Sequence, residues 1–188
     1  AQYAAALALI QFENTGDNPG STTRYINVSV NDGIAVSNTA VATPFAPDGS
    51  VDLHAFRRLC AHLVASGSDG LVVTGTTGES PTLTDGERFE LYEAAVDAVG
   101  GRATIVAGTG TYDTRHSVHL TERAHALGVD GMLVVTPYYS KPPQRGIVAH
   151  FEAVAAATDL PVIAYNIPGR VVVNIDPSTI ARLSQIEN

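Results

Sequence analysis

Two textures of apolar and polar positions divide the chain near residues 33–38. Before that boundary, Ile26, Val28 and Val30 alternate with Tyr25, Asn27, Ser29 and Asn31, the period-two pattern of a strand. Residues 7–12 can form a second strand, and the TGDNPGST segment between them carries Asn18-Pro19-Gly20 at its tip, which is turn chemistry. Residues 1–37 are therefore expected to form a β-hairpin appendage. A hairpin alone is marginally stable in water and needs something to pack on.

From residue 38 to 188 the texture is an alternation of short apolar runs with amphipathic helical stretches. The runs fall at 40–42, 71–73, 104–107, 132–135 and 162–164. Between the first two, Leu53, Phe56, Leu59, Cys60, Leu63 and Val64 share one helical stripe, closed by Gly67. Thr84 and Glu87 are spaced as a capping box ahead of Phe89, Tyr92, Ala95, Val96 and Val99, with Gly100 as the stop. A third helix is expected over 114–128 and a fourth over 145–157. A fifth has Asp176 as its N-cap and Pro177 at its first position.

A βα unit thus recurs about every 30 residues, five times. Fully apolar strands separated by helices predict a parallel sheet covered by helices. Two architectures compete, an open doubly wound sheet and a closed (β/α)₈ barrel. The open sheet usually announces itself with a glycine-rich turn after its first strand, whereas here Thr43-Pro44-Phe45 follows. The barrel is favoured, but it typically needs ~250 residues, and only about 150 of the 188 belong to the repeat. An incomplete (β/α)₈ TIM barrel with an N-terminal hairpin is the expected fold. The outer edges of strands one and five would be open, and the hairpin or a second chain is expected to cover one of them.

Composition narrows the chemistry. Nineteen acidic against eleven basic residues, a formal net charge of −8, leave no footprint for nucleic acid or an anionic membrane. One cysteine excludes an internal disulfide framework or a thiolate metal cage. The early apolar stretch 3–10 is too short to span a bilayer and has no basic start. Lys141 is the only lysine, so any amine chemistry from a side chain depends on it.

In parallel α/β folds the chemistry lies at the carboxyl ends of strands. Those ends read GTTGES (75–80), GTGTYDT (108–114), TPYYSKPPQRG (136–146) and YNIPGR (165–170), all mixing Gly or Pro with hydroxyls. Thr76 and Thr77, flanked by glycines, suit a carboxylate, although a plain strand-to-helix turn would look similar. A phosphate loop is excluded because no Gly-Lys-Ser/Thr follows. Tyr138, Tyr139 and Tyr165 could relay protons, or simply pack. Arg170 could grip a carboxylate in bidentate fashion, or stay solvated. His116 and His119 stand at i, i+3, but nothing completes a metal set, so no metal is expected. Cys60 reads as an inert core thiol.

GTTGES, TPYY and YNIPGR, in this order and spacing and preceded by TAVATPF, resemble the 4-hydroxy-tetrahydrodipicolinate synthase (dihydrodipicolinate synthase) family of pyruvate-dependent class I aldolases. The resemblance covers about residues 39–188. It implies a cytoplasmic lyase of lysine biosynthesis that condenses pyruvate with aspartate 4-semialdehyde, on a (β/α)₈ barrel assembled as a homo-oligomer, without a further cofactor. By position, Thr77 corresponds to the contact for the pyruvate carboxylate and Thr76 to a proton-relay hydroxyl. Tyr165 corresponds to the general acid/base at the imine, and Tyr139 to a relay tyrosine reaching a neighbouring subunit's site. Arg170 corresponds to the arginine that receives the semialdehyde carboxylate.

One departure is large. The family's Schiff-base nucleophile is a lysine on strand six, expected just beyond residue 188, and Lys141 belongs to a different loop. The chain is thus expected to be a truncated synthase, inactive as it stands. The alternative is a non-catalytic truncated or chimeric fragment serving only as a folding or assembly unit. Residues 1–33, with QFENTGDNPGSTTRYINVSVNDG, resemble a hairpin of bacterial cadherin-like or immunoglobulin-like repeats, which implies a fusion of unrelated pieces.

Overall fold

The computed structural model describes residues 39–188. The hairpin expected over 1–37, its resemblance to surface repeats and its role as an edge cover fall outside those residues. The strands are β1 (Thr39–Ala40), β2 (Gly70–Val73), β3 (Thr104–Gly108), β4 (Gly131–Val135) and β5 (Val162–Tyr165). The helices are α1 (Leu53–Ala65), α2 (Asp85–Val99), α3 (Thr114–Ala126), α4 (Gln144–Ala155), the single turn α5 (Pro168–Val171) and α6 (Pro177–Leu183).

All strand pairs are parallel, in the order β1-β2-β3-β4-β5. Each βα unit adds its strand beside the previous one and the order never reverses. That is the wall of a (β/α)₈ barrel rather than a doubly wound sheet, whose order turns back at a switch point. The expected first strand at 40–42 is shifted: β1 covers Thr39–Ala40, and the Val41 N–H adds one more bond, to the Val72 carbonyl at 3.0 Å.

Helix ends follow the local chemistry. Asp52 caps α1 by accepting the Ala55 N–H at 2.8 Å, and Asp113 caps α3 by accepting that of Arg115 at 2.9 Å. The Thr84–Glu87 capping box closes with the Glu87 carboxylate 2.8 Å from the Thr84 N–H. Gly67 and Gly128 stand at φ +103° and +82° just past α1 and α3, the left-handed positions that glycine favours. Asp176 departs from expectation. It occupies the N-cap of α6, but its side chain makes no capping bond there. Its own N–H is instead held by Gln144 Oε1 at 3.1 Å.

The sheet's two faces are unequally covered. Leu71, Val73, Ile105, Ala107, Met132 and Val134 are fully buried against the helices. Of the alternate positions, Val106 is buried, Val72, Leu133 and Val135 are half-buried, and Ile163 is 42% exposed. In a closed barrel this second face is the packed interior, lying against strands across the axis. Within the described half this face is therefore less covered than the helix-packed one. There β1 and β5 pair on one side only, and beside β5 the Val162 N–H donates to the Asn188 carbonyl at 2.8 Å.

Helix α2 is rotated from its expected stripe. Its buried residues are Arg88, Leu91, Tyr92, Ala94, Ala95 and Val99, whereas Phe89 and Val96 are half-buried. A charged side chain thus takes a core position, and the cause lies at the functional site.

Candidate active site

The carboxyl ends of β2 to β5 enclose a cavity of about 200 Å³, whose lining includes Thr74, Thr76, Ser80, Tyr138, Tyr165 and Arg170. Its β2 wall begins at Thr74, buried and held at φ +52°. A β-branched residue there carries strain of order 1–3 kcal/mol and persists only where its surroundings over-determine it. They do so here. Thr74 Oγ1 lies 3.0 Å from Tyr92 Oη and 3.1 Å from the Gly108 carbonyl, to which the fully buried Tyr92 hydroxyl donates at 2.9 Å. Burial raises the Tyr92 pKa above the ordinary tyrosine value, so this hydroxyl stays protonated and donating.

The loop after Thr74 is tied at both ends. Within it, the N–H groups of Gly78 and Glu79 bond to the carbonyls of Gly75 and Thr76, and Thr43 Oγ1 donates to the Gly78 carbonyl at 2.7 Å. Those of Thr76 and Thr77 have no partner among the described residues. Two open donors beside two hydroxyls suit a carboxylate oxygen. Ser80–Thr82 then forms a 3-10 turn leading to α2.

The glycines of the β3 end are required by close approach. A Cβ on Gly108 would sit 2.3 Å from the Thr74 carbonyl oxygen, and one on Gly110 would sit 2.3 Å from the Val135 nitrogen. Adjacent strand ends are drawn together there closer than any side chain permits.

Across the cavity, Tyr138 is half-buried on the wall and meets Tyr112 edge-on at 5.4 Å between ring centres. Burial pushes its pKa up, opposed by the nearby charge of Arg88. Tyr139 turns the other way, at φ +61° and 89% exposed. Tyr165 ends β5, and its carbonyl accepts the Thr136 N–H at 3.2 Å. The end of the YNIPGR segment, Pro168 to Arg170, folds into α5, a helical turn that pattern reading missed, and Arg170 on it lines the cavity.

Of the five site residues expected from sequence, Thr76, Tyr165 and Arg170 come together on one cavity. Thr77 stands one step along the loop, half-buried and off the lining, and Tyr139 faces outward. Lys141, exposed at φ +46°, does not line the cavity either. Pattern reading passed over Thr74 and Ser80. The legible signal for Ser80 was Arg88, a charged residue one turn before Tyr92 on the core side of α2. The two histidines of α3 have local partners: His116 Nε2 is 2.8 Å from Asp85 Oδ1, and His119 packs edge-on against Phe89. Cys60 is fully buried, and burial pushes its thiol up to about 12, which leaves it unreactive.

Fold and site together define a (β/α)₈-type α/β protein with a small, hydroxyl-rich cavity at its strand ends. The dihydrodipicolinate synthetase family model matches residues 34–188, and the chain belongs to that family. The match begins at residue 34 and so lends no support to the surface-repeat resemblance of residues 1–33. The chain is 62% identical to a 4-hydroxy-tetrahydrodipicolinate synthase of Mycolicibacterium paratuberculosis, over 80% of this chain and 50% of the relative. It overlays the crystal structure of dihydrodipicolinate synthase from Aquifex aeolicus with a TM-score of 0.77 at 47% identity, covering 79% of this chain and 50% of that one. A chloride-inhibited dihydrodipicolinate synthase from Acinetobacter baumannii, solved in complex with pyruvate, overlays with a TM-score of 0.78 at 39% identity, over 81% and 52%. The chain spans about half the length of the curated relatives it matches. Among the described residues no helix is long and apolar enough to cross a membrane.

Proposed function

We propose that these residues form the substrate-holding side of a cytoplasmic, homo-oligomeric lyase that condenses pyruvate with aspartate 4-semialdehyde. The observation that carries this reading is the meeting of Thr76, Tyr165 and Arg170, from three separate sequence motifs, on one cavity. Membership of the family and the pyruvate bound by the Acinetobacter relative support it. In this reading the loop of Thr76 and Thr77 holds the pyruvate carboxylate. Tyr165 exchanges the proton at C2, Arg170 receives the semialdehyde carboxylate, and Tyr139 extends the relay toward a second subunit.

Covalent chemistry requires an amine that attacks the pyruvate carbonyl and expels water to give an imine. Hydroxyls cannot replace it. Lys141, the single lysine of the 188 residues, stands off the cavity, so these residues bind pyruvate without activating it.

Pyruvate titration followed by borohydride and intact mass tests both statements. Reversible binding with no reduced adduct, apart from adventitious reaction at the N-terminal amine, is the expected result. A permanent adduct on Lys141 would overturn the separation of binding from chemistry. Absence of pyruvate binding would leave the chain as a non-catalytic assembly unit.

A further inference from the structure

Arg88 is 5% exposed, and no carboxylate among the described residues pairs with it. Its guanidinium bonds to Ser80 and also interacts with the Tyr92 hydroxyl. Nη1 donates to Ser80 Oγ at 2.7 Å, Nη2 donates to the Ser80 carbonyl, and Nε is buried without a partner. Burying an unpaired guanidinium is costly, and two hydrogen bonds to neutral oxygens offset only part of that cost. A plain tether between a loop and a helix would not need a charge there.

The donor arithmetic gives the charge a use. Guanidinium carries only donors, so Ser80 Oγ must accept from Arg88. The Ser80 proton is then turned away from Arg88, and it finds no acceptor among the described residues. Ser80 lines the cavity and Thr77 does not, so the hydroxyl-bearing residues that line the β2 wall include Thr76 and Ser80.

We infer that the Ser80 hydroxyl, oriented and polarised by the buried Arg88 guanidinium, donates a hydrogen bond to the carboxylate of a small 2-oxo acid in the cavity. Ser80 is then a ligand-binding residue and Arg88 a positioning residue. The inference rests on the reading of the cavity as a 2-oxo acid site and adds the source of its preference for anions.

Calorimetry of the 188-residue protein with pyruvate and with its uncharged methyl ester separates this role from a structural one. Pyruvate is expected to bind more tightly than the ester. Ser80→Ala is expected to weaken pyruvate roughly tenfold, the scale of one hydrogen bond to a charged group, and to leave the ester nearly unchanged. Ser80→Thr, which keeps the hydroxyl, restores pyruvate binding. Arg88→Lys, which keeps the charge but loses the fork, should give an intermediate loss. Because Arg88 variants can also disturb folding, the Ser80 pair carries the test. Equal weakening of both ligands in Ser80→Ala, or no weakening, overturns the assignment alone. If the unaltered protein binds neither ligand, the 2-oxo acid reading falls and the assignment falls with it.

Discussion

The β2–β3 wall of the cavity and its β4–β5 wall are both made of strand-end loops, yet they are held in different ways. On the first wall a strained Thr74 is locked by Tyr92 and Gly108, Arg88 grips Ser80, and Thr43 holds Gly78, all through buried or half-buried bonds. On the second, the positive-φ residues Tyr139, Lys141 and Val172 are exposed, and Val172 and Tyr139 present 68% and 89% of their surface to solvent. On the first wall the strained Thr74 is locked by interior hydrogen bonds while Glu79, at φ +54°, is exposed; on the other wall all three strained residues stand at the surface. A group that must hold an anion gains from fixed donors, since little reorganisation then opposes binding.

The sharpest way to break this contrast is Gly108→Ala. Its new Cβ would meet the Thr74 carbonyl at 2.3 Å, a backbone atom that cannot swing aside. A loss of about 3 kcal/mol in urea unfolding is expected, the upper range for overpacking. A loss below 1 kcal/mol would show that the first wall is not rigid.

Acid tests the seam between the two walls. His150 of α4, 2% exposed, joins α3 through Thr114 Oγ1, 2.9 Å from its Nδ1, while its Nε2 is unpartnered. Burial lowers its pKa from 6.5 to about 4, and nearby Asp113 only partly opposes this. The unfolded chain therefore binds a proton that the folded chain refuses. The resulting stability is fully present above pH 6.5 and is lost as pH falls through about 4, by as much as about 3 kcal/mol. Melting midpoints against pH, with the imidazole followed by NMR, check this. An imidazole titrating near 6.5 would contradict it.

Tyr92→Phe removes one hydroxyl from the first wall and keeps the ring. It should cost about 1–2 kcal/mol, because the Gly108 carbonyl loses its buried tyrosine donor. Part of that loss should appear as faster amide exchange at Gly78 and Glu79, whose N–H groups are bonded within the loop. Tyr139→Ala should change stability by no more than about 0.5 kcal/mol in the same unfolding assay, as expected for an exposed side chain. A larger effect would mean that the second wall is as tightly built as the first.

Much of this contrast was open to pattern reading, and the limits were physical. Apolar periodicity and caps located the five βα units because Thr84–Glu87, Gly67 and Gly128 act within one or two turns of chain. Thr76, Tyr165 and Arg170 were legible because strand ends collect at one face of a parallel sheet. Tyr138 and Tyr139 could not be told apart, since adjacent residues take opposite directions only once a positive φ is set. Arg88 was passed over because a stripe drawn from apolar residues alone omits a charge that turns inward.

What the sequence by itself determined is the set of local decisions: which segments are strand or helix, where helices stop, and the presence of a single lysine. These depend on contacts a few residues apart. The tertiary structure decided what depends on separation in the chain. It set the sequential strand order, brought Gly108 against Thr74, and left one sheet face half-covered. It also placed a buried guanidinium behind Ser80, a pairing that exists only because α2 packs back across its own loop.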